Sequence, residues 1–421
     1  MKLKKTISIL FLSLLTLLVS CESKDNSSSG GNGSSQTQVD IITFSVSDVS
    51  GTISGTNISL TLPMGSSLTN LAPTITISEG ASVSPANGVA QDFTNPVTYT
   101  VTSADRTTKA YVVTVSASTR PTGTKVTFTA DGVSFKMVSV PGGLSFPAGS
   151  MDETNPKATV GRGYWIGETE VTYELWYTVR SWALSNGYTF VSPGSEGSAS
   201  ELGIAPTAKK NEPVTTINWR DAMVFSNALT EWYNAKTGSN YTCVYYSNPT
   251  YTTPIRTSTD NPLAFPIVAG TEDSPYVKND ATGFRLLTGN EWELAAKYKD
   301  GVNWTHGNYA SGATAYAVNW DWAPNTDTTA TAAVAWCTSD VLNPPTGTQA
   351  VKLLAPNSLG LYDMSGNVYE WCYNWEGIAS RLGLGGAFDR DITYLQVGMK
   401  GAFPPFMVSW DVGFRLARTD L

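Results

Sequence analysis

Five short runs that alternate apolar with polar residues constrain the first third of the chain to a sheet. They are Ile42-Thr43-Phe44-Ser45-Val46, Ile58-Ser59-Leu60-Thr61-Leu62, Thr74-Ile75-Thr76-Ile77, Val97-Thr98-Tyr99-Thr100-Val101 and Tyr111-Val112-Val113-Thr114-Val115. A period of two gathers the apolar side chains on one face of a strand, whereas a helix needs a period near 3.6 to do the same. Clusters of glycine, asparagine and proline separate the runs, and residues 39–118 are therefore expected to form an all-β sandwich.

Upstream of the strands, Met1 to Lys5 carries three lysines and Thr6 to Val19 is almost wholly apolar. That run is short for a membrane span, and with its basic start it reads as a secretory signal over residues 1–20. It ends in Leu18-Val19-Ser20-Cys21, which resembles a lipobox, so Cys21 is expected to carry lipid that holds the chain to a membrane. Residues 21–38 are polar and rich in Gly, Ser and Asn, the composition of a flexible stalk. The expected location is the cell envelope, lipid-anchored in the outer membrane and facing the exterior. Lys and Arg total 27 against 35 Asp and Glu, and a pI near 4.8 offers no basic footprint for nucleic acid. With one histidine in the chain, His306, in a polar loop expected at the surface, multi-histidine metal sites are excluded. With Cys21 lipidated, Cys243, Cys337 and Cys372 could form at most one internal disulfide.

Two phrases of the strand region, Asp92-Phe93-Thr94-Asn95-Pro96-Val97-Thr98-Tyr99 and Lys109-Ala110-Tyr111-Val112-Val113-Thr114-Val115, resemble immunoglobulin- or cadherin-like modules, which implies a spacer. After a linker through Pro121 and Gly123, a mixed domain begins near Lys125. Three helices are expected there. One follows Thr172 with Leu175, Val179 and Trp182 on one stripe and stops at Asn186-Gly187. The second runs from Asn218 to Gly238, and the third from the capping box Thr288-Gly289-Asn290-Glu291.

Ordered motifs mark this domain: Tyr164-Trp165-Ile166-Gly167-Glu168-Thr169-Glu170-Val171-Thr172, Gly283-Phe284-Arg285-Leu286-Leu287-Thr288-Gly289-Asn290-Glu291-Trp292-Glu293, Asn357-Ser358-Leu359-Gly360-Leu361-Tyr362-Asp363-Met364-Ser365-Gly366-Asn367-Val368-Tyr369-Glu370-Trp371, and the ending Gly413-Phe414-Arg415-Leu416-Ala417-Arg418. Together they resemble the formylglycine-generating enzyme, or sulfatase-modifying factor, family. The resemblance implies that residues 125–421 adopt an α+β C-type-lectin-like fold with long loops. The whole is then a multidomain chain, an immunoglobulin-like sandwich followed by this head.

Two carboxylates bracketing Gly366-Asn367 suit a hard cation such as Ca²⁺, or else they cap turns by accepting backbone N–H bonds. The resemblance implies calcium on the side chains of Asp363 and Glu370 and the carbonyls of Gly366 and Val368, with a second site at Asn319 and the Trp320 carbonyl. It also implies a copper-binding cysteine pair before the last Gly-Phe-Arg, but Gly385 to Val412 contains no cysteine. A soft-metal site is not available there, which argues against copper and against the family's usual oxidation of a substrate cysteine. The layout of that segment is similar to the variable region of retroelement-diversified surface proteins. Phe388, Asp389, Arg390, Tyr394, Met399, Phe403, Phe406, Met407, Ser409 and Trp410 are accordingly the candidate contacts for an extracellular protein or glycan. Their aromatic members could equally fill a core.

Overall fold

The computed structural model describes residues 39–47, 49–62, 66–117, 121–149, 157–314, 328–338 and 345–420. The signal, the stalk with Cys21, and Asn319 with Trp320 lie outside them.

The alternating runs become β1 (Ile41–Val46), β2 (Asn57–Leu62), β3 (Thr74–Ile77), β4 (Val97–Thr102) and β5 (Thr108–Ala117). β1 pairs antiparallel with β3 in one sheet, and a second sheet places β5 between β2 and β4. The β2–β5 pairing is parallel, so the second sheet is mixed. The inward residues Phe44, Leu60, Tyr99 and Val113 are buried in one shared core. There the Phe44 ring meets Tyr99 edge-on, with centroids 5.3 Å apart.

From Lys125 onward the strands are β6 (Lys125–Ala130), β7 (Val133–Val140), β8 (Tyr164–Gly167), β9 (Phe284–Leu286), β10 (Tyr369–Glu376), β11 (Ser380–Leu384), β12 (Lys400–Phe403) and β13 (Leu416–Thr419). A five-stranded antiparallel sheet runs in the order β9-β13-β8-β7-β6, so the last strand of the chain sits in its interior. A second sheet joins β12, β11 and β10, with Val412–Gly413 pairing parallel to the start of β10.

The three expected helices form where their caps predict. In α1 (Tyr173–Leu184) the Thr172 hydroxyl accepts the Leu175 N–H. α2 (Trp219–Thr237) starts with an Asn218/Asp221 capping box and ends on left-handed Gly238, and α3 (Gly289–Lys297) starts with the Thr288/Glu291 box. One detail differs, in that the buried tryptophan of α1 is Trp176 and Trp182 is only half-buried. Trp176 wins the inner face because it stacks on Phe225 of α2 at 4.9 Å, meets Phe414 edge-on at 6.3 Å, and satisfies its indole N–H on the Pro193 carbonyl at 2.9 Å.

Two surface and cysteine expectations are also resolved. His306 is half-buried, not a plain surface residue, because its Nδ1 accepts the Asn308 N–H and its ring lies 5.6 Å from that of Tyr309. Cys243, Cys337 and Cys372 are buried and unbonded to one another. Replacing Trp176 by alanine should lower the unfolding free energy by about 3–5 kcal/mol, read from urea denaturation.

Candidate functional site

The turn that begins at Asp363 is locally forced. Asp363, Gly366 and Asn367 all have positive φ (54°, 76° and 60°), and at Gly366 a Cβ would stand 2.1 Å from the Trp336 carbonyl oxygen, so only glycine fits. The Asn367 amide locks the turn from both sides. Its Nδ2 donates to Glu170 Oε1 and to the Gln349 carbonyl, each at 3.2 Å, while its Oδ1 accepts the Gln349 N–H at 3.0 Å.

The strand leaving this turn delivers Glu370 to a fully buried arginine. Arg415 donates through Nη2 to Glu370 Oε1 at 2.7 Å and through Nε to both carboxylate oxygens at 3.0 Å, and Trp292 Nε1 donates to Oε2 at 2.8 Å. The remaining guanidinium bonds go to the carbonyls of Gly167 and Tyr362 at 3.0 and 2.8 Å. Ions this deep are tolerated only when the partners are this complete.

Two neighbouring carboxylates are less well served. Asp363 Oδ2 accepts the Lys352 N–H at 2.7 Å, but its Oδ1 and Glu170 Oε2 are buried with no hydrogen-bond partner among the described residues. Burial, with the Glu370 charge adding to it, pushes the Asp363 carboxyl up to about 6. Burial and then the Asp363 charge hold Glu170 well above the usual carboxylate range. The residues expected to ligate a cation therefore divide. Asp363 has an oxygen to offer, Glu170 Oε2 lies 3.9 Å from Arg415 Nη2 without a hydrogen bond, and both oxygens of Glu370 are taken by Arg415 and Trp292. No group of three or more His, Cys, Asp or Glu side chains placed to hold a metal occurs among the described residues.

In the C-terminal segment the expected contact residues separate into inward and outward sets. Phe388 is buried and its N–H donates to the Asn367 carbonyl, so it belongs to the turn and not to the surface. Phe403 folds back over its own sheet. A Cβ on Gly383 would come within 2.6 Å of its ring, and the ring meets Tyr369 and Trp371 edge-on at 5.2 and 5.7 Å. Met407 packs against the same core, and Met399, Phe406 and Ser409 are half-buried. Tyr394 and Trp410 point outward, with Trp410 58% exposed, and Val408 joins them although its residue type gave no signal of a site. Beside them Arg390 Nη2 pairs with Asp411 Oδ2 at 2.6 Å and Nε approaches Asp389 Oδ1 at 3.5 Å, with the guanidinium 5.7 Å from the Tyr369 ring centre. Ser409 donates its hydroxyl to Asp411. Asp411 and Tyr369 were not among the expected contacts. Asp411 lies within the segment itself, whereas only the folded chain brings Tyr369 to it, by pairing the start of β10 with Val412. The nearest thiol on this sheet, Cys372, is fully buried and pushed well above its usual range by burial, which leaves it protonated and unreactive.

The family described as sulfatase-modifying factor enzyme 1-like domain matches residues 126–420. The chain belongs to that family. Its head has the formylglycine-generating-enzyme type of C-type-lectin-like fold. Residues 41–115 match a second family, described as SGBP, N-terminal. Among solved structures, the Treponema denticola variable protein 1 is 27% identical with a TM-score of 0.51, covering 70% of this chain and 99% of that one. CarF is 26% identical with a TM-score of 0.50, covering 68% and 98%. The chaperone protein LppX of Paenibacillus barcinonensis is 26% identical over 296 residues, 68% of this chain and 90% of its own length.

The raised Asp363 carboxyl fixes a sign. Its folded state takes up a proton more readily than the unfolded chain, so ionisation costs stability above pH 6 and the cost disappears as pH falls toward 4. In metal-free buffer Asp363→Asn should therefore melt higher than wild type at pH 7.5, with the gap narrowing by pH 5 and closing near pH 4 in a thermal-unfolding series.

Proposed function

We propose that this family member is a lipid-anchored envelope protein, facing the exterior from the outer membrane through lipid on Cys21, whose head binds an extracellular ligand through its C-terminal segment. The observation that carries the reading is the division within that segment. Phe403 and Met407 secure it to the core, while Trp410, Tyr394 and Val408 stay exposed around the Arg390–Asp411 pair. Exposed aromatic side chains on a rigid base are the anchors that recognition surfaces use, and the absence of cysteine from residues 385–412 removes the family's usual chemistry. Likeness to a relative named a chaperone favours a polypeptide ligand over a glycan.

The test is an array of extracellular matrix proteins and glycans probed with the purified chain. Trp410→Ala with Tyr394→Ala should abolish the signal while leaving the melting temperature unchanged. Phe403→Ala should instead destabilise the fold by about 3 kcal/mol. Turnover of a cysteine-containing sulfatase peptide to an aldehyde in the presence of copper would reverse the assignment.

For the turn, we infer a Ca²⁺ held by Asp363 and the Gly366 and Val368 carbonyls. Its support is the partnerless Asp363 Oδ1, since a hard cation satisfies a buried carboxylate oxygen that the protein leaves bare. Glu370 would then contribute only by sharing itself with Arg415. Millimolar calcium should raise the melting temperature of the wild type at pH 7.5 and leave Asp363→Asn unmoved.

A further inference from the structure

The head carries a cavity of about 550 Å³ that shares no residue with the C-terminal segment and falls in the size range of small-molecule sites. One wall is a pair of stacked tyrosines, Tyr245 and Tyr373, with centroids 5.6 Å apart and planes 14° from parallel. That wall is rigid, because the buried Tyr245 hydroxyl accepts the Leu286 N–H at 3.0 Å.

The side chains that line the cavity carry three cations, Arg162, Lys278 and Arg285, against one anion, Glu291. Deep inside, Arg285 is neutralised by Glu291 through two bonds of 2.8 and 2.7 Å. At the mouth stand Lys278 and Arg162. Lys278 reaches the exposed Asp280 at 2.6 Å. Arg162 is exposed, lies within electrostatic reach of the same Asp280, and makes no ion pair of its own among the described residues. Beyond the Arg285–Glu291 pair the lining thus keeps two cations, with the carboxylates of Asp280 and of the buried Asp420 just outside it, on a chain whose formal net charge is −8. An arginine fork open to solvent beside an apolar wall is a receptor for a planar carboxylate. The Asn279 amide and the Thr419 hydroxyl on the lining can meet the hydroxyl groups of a sugar ring.

We propose that this cavity binds an acidic monosaccharide of the hexuronic type. Its carboxylate lies on Arg162 and Lys278, and its ring lies against the accessible edge of the half-buried Tyr373. The site is independent of the C-terminal segment, and the two readings stand or fall separately. The experiment is a calorimetric titration of the purified chain with D-glucuronate, D-glucose and benzoate. Glucuronate should bind, and glucose should bind at least about tenfold more weakly. Arg162→Gln should weaken glucuronate by about tenfold, the loss expected for one charged hydrogen-bond partner, with no change in melting temperature, and Trp410→Ala should leave glucuronate binding unaltered. Equal affinity for glucose, an unaffected Arg162→Gln variant, or no binding of glucuronate would overturn the site. Benzoate binding as tightly as glucuronate would overturn the sugar assignment.

Discussion

The buried pair between Arg415 and Glu370 is the contact on which the rest of the head is assembled. Arg415 lies one residue before the last strand, which inserts between β8 and β9, and its guanidinium simultaneously reaches the end of β8 at Gly167, the turn at Tyr362 and the strand β10 at Glu370. The planar fork can hold these groups at once because its donors point in fixed directions, which a lysine ammonium on a flexible stem could not reproduce. Desolvating two ions is costly, and here that cost is offset by hydrogen bonds on both sides of the pair, including the one from Trp292. The pair therefore specifies where the C-terminus enters the fold more than it adds to stability.

Clamping the chain at β11 and again at Arg415 leaves the intervening segment tethered at both ends. Within it the inward residues sit where glycines make room. Gly383 and Gly401 lie under the Phe403 ring, and a Cβ on either would come within 2.9 Å of it. With the base held in this way, outward side chains such as Trp410 and Val408 contribute little to the fold, and substitution there is free of the packing penalty that governs Phe403. A scaffold held in this way leaves its outward positions open to change, and the chain's likeness to a variable protein accords with that.

Much of the local structure was legible in the residues themselves. Period-two runs gave β1 to β5, and Thr172, Asn218 and Thr288 announced three helix starts because a side-chain oxygen that satisfies an orphan N–H is a local requirement. The motifs containing Asp363 to Glu370 and Gly413 to Arg418 were legible as family markers, but their contact with each other was not, as 45 residues separate Glu370 from Arg415. The same limit explains Trp176. A stripe drawn from α1 alone favoured Trp182, and only the arrival of Phe225 and Phe414 decided which tryptophan went inside. Phe388 failed in the opposite direction, since a large apolar residue in an aperiodic stretch carries no mark of which way it faces.

By itself the sequence determined the five N-terminal strands and three helices of the head, the family of the head, the missing cysteines of residues 385–412 and the excess of acidic charge. These follow from periodicity, capping and composition, which depend on near neighbours along the chain. The tertiary structure alone decided which carboxylate met Arg415 most closely, which oxygens of Asp363 and Glu170 were left without a hydrogen bond, and which aromatic residues of the C-terminal segment reached solvent. Those outcomes depend on groups far apart in sequence competing for the same buried space, and no local pattern records the result of that competition.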